Sequence, residues 1–181
     1  MTFATDSITF RRLSRPDFPL LEQWLKKPHV LRWWREPLDG AALEAKYGPR
    51  IDGIEPTFVF VIEYDGRPVG WIQWYRWADY ELHARKIGAA FSDAGIDLAI
   101  GALDMIGRGL GPVVLKSFID QIVFADSSIT AVVSDPEASN VRSRRAFEKA
   151  GFESGAVVVL DGEREPRVIV RLNRTGTIAG P

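Results

Sequence analysis

The stretch from Ile96 to Phe152 limits this chain more than any other. A glycine cluster, Gly107-Arg108-Gly109-Leu110-Gly111, follows the strand-like run Asp97-Leu98-Ala99-Ile100-Gly101 and leads into an apolar, helix-like run. Glycines at alternate positions carry no Cβ, admit positive φ and let successive backbone N–H groups turn toward one point. The helix that follows adds unpaired N–H groups and the positive end of its dipole. The result is a cradle for an anion, and a pyrophosphate fits it. A tight strand-to-helix turn without a ligand uses the same residues. Two phosphate loops are excluded. Pro112-Val113 stands where the nucleoside-triphosphate loop has Lys-Ser/Thr, and the glycine spacing departs from the dinucleotide fingerprint. The back of the stretch holds Ser134-Asp135-Pro136, then Ser139-Asn140-Val141-Arg142, then Phe147-Glu148-Lys149-Ala150-Gly151-Phe152.

A length of 181 residues suits one domain, expected over 1–181 with its core between about 7 and 172. Hydrophobic residues at 46% are ample for that core. The net charge of −1 and the lack of a basic run speak against nucleic acid and membrane surfaces as partners. There is no cysteine, hence no disulfide framework, thiol nucleophile or thiolate metal site. His29 and His83 are too far apart in sequence to suggest a metal motif, so no metal is expected. The N-terminus has no signal-like core and no apolar run approaches ~20 residues, so a soluble, cytoplasmic protein is expected. Of six tryptophans, Trp33, Trp34, Trp71, Trp74 and Trp77 fall in two short clusters.

In order, Ser7 to Leu13 reads as a strand. Pro16-Asp17 opens a helix with Leu20, Leu21, Trp24 and Leu25 at helical spacing, which Pro28 is expected to stop. His29, Trp33 and Trp34 are then expected in a loop, as a cap on the core or as a wall whose flat faces attract cations. A second helix, capped by Asp39-Gly40, is expected to end at Gly48-Pro49. Thr57 to Tyr64, the turn Asp65-Gly66 and a return strand from Pro68 to about Trp77 form a hairpin. Strand alternation puts Trp71, Gln73, Tyr75 and Trp77 on one face, amphipathic as a binding wall would be. Asp79 to Lys86 reads as a polar loop, and Gly95 to Gly101 as a strand with Asp97 near its start. A helix follows Gly111, and Ile129 to Val133 reads as a buried strand. A helix after Ser139 ends at Gly151. A hairpin of Val157–160 and 167–172 closes the fold, and 173–181 reads as a frayed tail.

The mixed order of strands and helices, with Arg108-Gly109-Leu110-Gly111, Asn140 and Glu148-Lys149-Ala150-Gly151-Phe152, resembles the GNAT superfamily of acyl-CoA-dependent N-acyltransferases. The fold this implies is α/β, with a mixed, mainly antiparallel sheet of about seven strands and helices on both faces. Across roughly residues 8 to 172, a longer series is similar to the aminoglycoside 6′-N-acetyltransferases. It runs Trp33-Trp34, Tyr47, Gly70, Gln73, Tyr75, Gly95-Ile96-Asp97, residues 107–111, Ser134-Asp135-Pro136 and Ser139-Asn140. Two positions depart from the superfamily pattern. Ile106 stands where Gln or Arg is usual before the Gly-x-Gly pair, and Phe147 stands where many members place a tyrosine that protonates the leaving thiolate.

The resemblance implies acetyl-CoA as cosubstrate and an aminoglycoside amine, the 6′-amine, as acceptor, with antibiotic resistance as the outcome. Gly107, Arg108, Gly109, Leu110 and Gly111 would hold the pyrophosphate. Leu98, Ala99 and Ile100 would run beside the pantetheine arm as an added strand. Asn140 would bond a pantetheine amide, unless it only caps its helix. Asp97 is the candidate catalytic base, unless it is a strand-end Asp bonded to loop N–H groups. Asp135 would pair with a second substrate amine, unless it only shapes an Asp-Pro turn. Trp33, Trp34, Tyr47, Gln73, Tyr75 and Asp79 would complete the substrate site, and Tyr75 is an alternative proton donor. Without cysteine, transfer would be direct in a ternary complex, in a monomer or homodimer. Rival readings are acylation of a lysine-derived siderophore precursor or protein N-terminus, and a non-catalytic sensor of acyl-CoA or drug.

Overall fold

The computed structural model describes residues 3–35, 39–163 and 165–174. Its seven strands are β1 (Ile8–Arg12), β2 (Thr57–Tyr64), β3 (Arg67–Arg76), β4 (Asp93–Ile100), β5 (Ala131–Ser134), β6 (Glu153–Val158) and β7 (Arg167–Asn173). They form one mixed sheet in the order β1-β2-β3-β4-β5-β7-β6. The pairs β1–β2, β5–β7 and β6–β7 are antiparallel, and β4–β5 is parallel. The helices are α1 (Phe18–Leu25), α2 (Pro28–Trp34), α3 (Gly40–Ile51), α4 (Glu81–Ile87), α5 (Leu110–Phe118) and α6 (Val141–Lys149). This is the α/β class expected from the sequence. The chain condenses into two compact units, Met1–Trp74 with Asp97–Leu110 and Tyr75–Ile96 with Gly111–Pro181. The backbone of β3 passes from the first unit to the second, and that of β4 passes back.

In the first unit, α1 sets Leu21, Trp24 and Leu25 on one stripe, as its spacing requires. They pack with Leu43 and Tyr47 of α3, Val59 and Val61 of β2, Trp71 of β3 and Ala99 of β4. The β2–β3 turn is the left-handed pair Asp65 and Gly66, with φ of 49° and 72°, which matches the right-handed twist of a hairpin.

Three local readings of this unit are corrected. Pro28 starts a helix instead of leaving a loop. It stands at the first helical position, where an N–H is dispensable, and so His29, Trp33 and Trp34 lie on α2. Gly48-Pro49 does not end α3, which runs on to Ile51. The carbonyl that the missing proline N–H leaves behind belongs to Ala45, which is exposed and so open to water. Asp97 lies in mid-strand, because β4 begins at Asp93.

In the second unit, α4 replaces the loop expected at 79–86, behind a 3₁₀ turn at Trp77–Tyr80. Its polar residues conceal a short amphipathic stripe: Ala84 and Ile87 are buried with Trp77, Val133 and Leu160. After α5 the helix widens to a π turn at Ile119–Val123, closed by Phe124 N–H donating to the Ile119 carbonyl. Strand β5 lies at Ala131–Ser134, slightly later than expected. Strand β6 starts at Glu153, before the expected 157. The expected tail begins too early, since Asn173 closes β7 and the Arg174 guanidinium donates to the Phe124 and Ile129 carbonyls. Residues 175–181 of that reading lie outside the described residues.

Asp93 is fully buried at the start of β4. It accepts from Arg171 Nη1 at 2.7 Å, Ala90 N–H at 2.9 Å and the Thr130 hydroxyl at 3.2 Å. Removing the cation strands a buried carboxylate. Arg171→Met is expected to destabilise the fold by about 3 kcal/mol, read as a lower midpoint in urea denaturation at pH 7.

Candidate active site

Gly107 and Gly109 have φ of 74° and 91°, and Gly107, Arg108 and Gly109 are exposed just ahead of α5. A Cβ at either glycine would enter open space, so these positions need glycine for backbone direction and not for clearance. Gly111 differs, because its Cβ would sit 3.4 Å from Ala146 of α6, which makes it a helix-packing residue. Leu110 also departs from the expected role. Its side chain is buried in the core, leaving only its backbone to face a ligand. The loop is anchored from behind, where Arg67 forks onto Asp104 at 2.7 and 2.8 Å.

The first unit builds a polar chain around Asp97. Gln73 is 8% exposed and donates Nε2–H to Asp97 Oδ2 at 2.9 Å. Its Oε1 accepts from Arg50 Nη1 at 2.9 Å, and Arg50 pairs with Glu55 at 2.7 Å. Gln73 is therefore a bridge between two charged groups. Asp97 is thus bonded to a side chain on the neighbouring strand. Tyr47 has no exposed surface and belongs to the hydrophobic core, with Arg50 over its ring at 5.5 Å, so it is not a substrate wall. Trp71, on the face expected to be a wall, is likewise fully buried, stacked on Trp24 at 6.0 Å. Trp34 is half-buried against Trp71 at 4.8 Å, and Trp33 is half-buried under Arg32. On β4, Ala99 joins the core, while Leu98 and Ile100 are half-buried. The Ile100 carbonyl accepts from His29 Nε2 at 3.1 Å, which puts the imidazole proton on that nitrogen.

The second unit builds a separate cluster. Tyr75 lies across Gly95, where a Cβ would come within 2.2 Å of its ring. Its ring meets Trp77 and Tyr80 edge-on at 5.1 and 5.0 Å. Trp77 is buried and donates its indole N–H to the Val133 carbonyl at 3.0 Å. His83 stacks on Trp77 at 5.3 Å and places Nε2 2.9 Å from Asp135 Oδ2. Asp135 thus has an imidazole partner of its own, a cation once protonated, beyond the turn expected of Asp-Pro. It raises the His83 pKa above the ordinary 6.5 against the effect of burial, with Glu163 adding to the rise and Arg167 opposing it. Asp79 is exposed in the 3₁₀ turn. Asn140 caps α6, its Oδ1 accepting from Ser143 N–H at 3.1 Å. Phe147 is buried edge-on to Phe152 at 4.9 Å and offers no proton. Strand β4 pairs with β5 at Asp93 and Ala94, after which the Ser134 hydroxyl donates to the Ile96 carbonyl at 2.7 Å.

The bonds made by Arg50, His29 and His83 were not anticipated from the sequence. The signal for Arg50 was a cation seven residues before β2, which is indistinguishable in sequence from a solvated helix end. His83 was masked by the polar stretch read as loop. Among the described residues no group of three or more His, Cys, Asp or Glu side chains is arranged to hold a metal ion. No described helix is long and apolar enough to cross a membrane.

A seven-stranded mixed sheet whose β4–β5 ladder stops early, with a glycine turn into α5, defines an acyltransferase fold. Residues 14–160 match the acetyltransferase (GNAT) domain, so the chain belongs to that family and is an acetyltransferase. It is 29% identical to an aminoglycoside N(6′)-acetyltransferase type 1 of Klebsiella pneumoniae, covering 99% of this chain and 92% of that protein. It is 24% identical to the lysine N-acyltransferase MbtK of Mycobacterium tuberculosis, over 78% of this chain and 74% of that one. The crystal structure of aminoglycoside acetyltransferase AAC(6′)-Ib with coenzyme A and kanamycin superposes with a TM-score of 0.75 at 26% identity. That match covers 93% of this chain and 95% of the other.

The His83–Asp135 pair makes a pH-dependent contribution to stability. A histidine whose folded pKa is raised stabilises fully below the ordinary 6.5, and that contribution fades as pH rises through the folded value. The melting-temperature gap between wild type and His83→Gln is therefore expected to be largest near pH ~6 and to shrink toward pH ~8. Thermal melts across that range measure it.

Proposed function

We propose that this acetyltransferase moves an acetyl group from acetyl-CoA to an amino group of an aminoglycoside, at the 6′-amine, by direct transfer in a ternary complex. The observation that carries this reading is the near end-to-end match with an aminoglycoside N(6′)-acetyltransferase. The cradle supports it: two left-handed glycines with exposed backbone suit a pyrophosphate at the start of α5. Residues 107–109 would hold the diphosphate, and the half-buried Leu98 and Ile100 would lie along the pantetheine arm. Acetyl-CoA supplies the activated acetyl group. A polycationic acceptor calls for carboxylates, and Asp97 on β4 and Asp135 just past β5 would supply two.

In the reaction a C–N bond forms as the C–S bond breaks, the amine gives up one proton and the thiolate gains one. Asp97 takes the amine proton, directly or through a water, and needs an acceptor oxygen for it. Asp135, with its negative charge half-satisfied by His83, holds a second amine. Cysteine is absent from the sequence, so no acyl-cysteine forms on the way. Inactivation of the drug, and hence resistance, follows from loss of a cationic amine. The match to a lysine N-acyltransferase favours one second reading, acylation of a lysine side chain. A coenzyme A release assay against aminoglycosides, lysine and peptide amines separates the two. Turnover with lysine alone would replace the drug as substrate, and turnover with none would leave a binding protein.

Three predictions test the roles. A valine at Gly109, forced into φ of 91°, should turn the N–H groups away and raise the acetyl-CoA Kd by about tenfold or more, measured by titration calorimetry on the folded variant. Asp97→Asn should lower kcat by roughly 10²–10⁴-fold, because proton removal is needed only as the bond forms. Asp135→Asn should chiefly raise KM for the drug, since its ion pair exists in ground and transition states alike. Steady-state kinetics of both variants, with kcat of Asp97→Asn near wild type, would move the base elsewhere.

A further inference from the structure

Asp97, Gln73, Arg50 and Glu55 form one chain in the first unit, and the order of donors along it is fixed by chemistry. Arg50 is 12% exposed on its side chain and bonds Glu55 through Nε at 2.9 Å and Nη2 at 2.7 Å. A guanidinium only donates. The atom of Gln73 that faces Arg50 at 2.9 Å must therefore be Oε1, and the amide nitrogen is left to face Asp97, also at 2.9 Å. The flipped amide would set its oxygen against the carboxylate and its N–H₂ against the guanidinium, two repulsions in place of two bonds. Both side chains are largely buried, so water is a poor substitute for either bond. With the amide locked, Asp97 Oδ2 is fixed as an acceptor and the plane of the carboxylate is set.

We propose that Arg50 is a positioning residue that orients the Asp97 carboxylate through the locked amide of Gln73, with Glu55 holding the guanidinium in place. This deepens the reading in which Asp97 receives the amine proton, and it assigns that residue a support that is not itself in contact with the substrate. Arg50 acts at two removes, so its loss should leave acetyl-CoA binding intact and act on the transfer step alone.

Two measurements test it. The first is a double-mutant cycle on kcat. Arg50→Met and Gln73→Leu are each expected to lower kcat on the order of tenfold, with the KM for acetyl-CoA within about twofold of wild type. The double variant is expected to fall no further than the worse single one, since both break the same chain. Arg50→Lys, which keeps a donor toward Gln73 Oε1, should recover part of the loss. Losses that multiply, or a loss of kcat that only tracks a falling melting temperature across Arg50→Met and the milder Arg50→Gln, would overturn the proposal.

The second measurement does not depend on activity. In wild type, the Gln73 side-chain amide should give two well-separated NMR signals that move together as Asp97 titrates and no longer do so in Asp97→Asn. In Arg50→Met, or in Arg50→Gln if the methionine variant does not fold, the separation and the pH-linked movement should both shrink. An unchanged Gln73 spectrum in the Arg50 variant would overturn the proposal whatever the kinetics. A wild-type enzyme that acetylates no amine would instead remove the proposed function, and the amide spectrum would still decide the role of Arg50.

Discussion

A strand buried on both faces cannot carry a charge unless something answers it, and β4 is such a strand. Asp93, Ala94 and Ile96 have no exposed surface, and Gly95 and Ala99 are buried. Two carboxylates nonetheless sit on it. At its start Arg171, the Ala90 N–H and the Thr130 hydroxyl meet Asp93, a wholly structural arrangement. In its middle Asp97 accepts an amide N–H from Gln73. The difference matters. A guanidinium answers a carboxylate with a charge, whereas an amide answers it with a hydrogen bond alone. The cation in that chain lies one residue further away, on Arg50, where it orders the amide.

The second acidic site follows the opposite plan. Asp135 meets an imidazole directly, and the imidazole is stacked on an indole whose own N–H is tied to β5. Histidine is a cation that changes with pH, so this partner can yield to an ammonium group more readily than an arginine would.

Much of this was legible in the sequence where local chemistry leaves one choice. Asp65-Gly66 dictates a tight hairpin, and the glycine cluster marks the turn into α5 because no other residue takes those φ values cheaply. The position of Asp97 beside Gln73 on adjacent strands could be suspected from the family resemblance. What stayed hidden was what tertiary contact decides. Pro28 reads as a stop or as a start with equal ease, and only the burial of Val30 makes it a start. The polar run at 79–86 becomes α4 because Ala84 and Ile87 find Trp77. The aromatic face of β3 looked like a wall, yet Trp71 and Trp77 are core, since a large ring at a half-polar position still gains more from burial than from exposure. Arg50 could not be found at all, because its meaning lies in one side-chain bond across 23 residues.

Phe147 shows where the chain does without a polar group. The position is buried and packs edge-on to Phe152, so a hydroxyl there would need a partner of its own. The leaving group of a thioester makes that hydroxyl dispensable. A thiolate of pKa near ~8.5 is a far better leaving group than an alkoxide and can take its proton from water after the bond has broken. The amine has no such freedom: protonated it cannot attack at all. The harder proton transfer is therefore on the amine side. A buried aromatic ring at 147 is compatible with that balance, since the step it could not serve is the easier of the two.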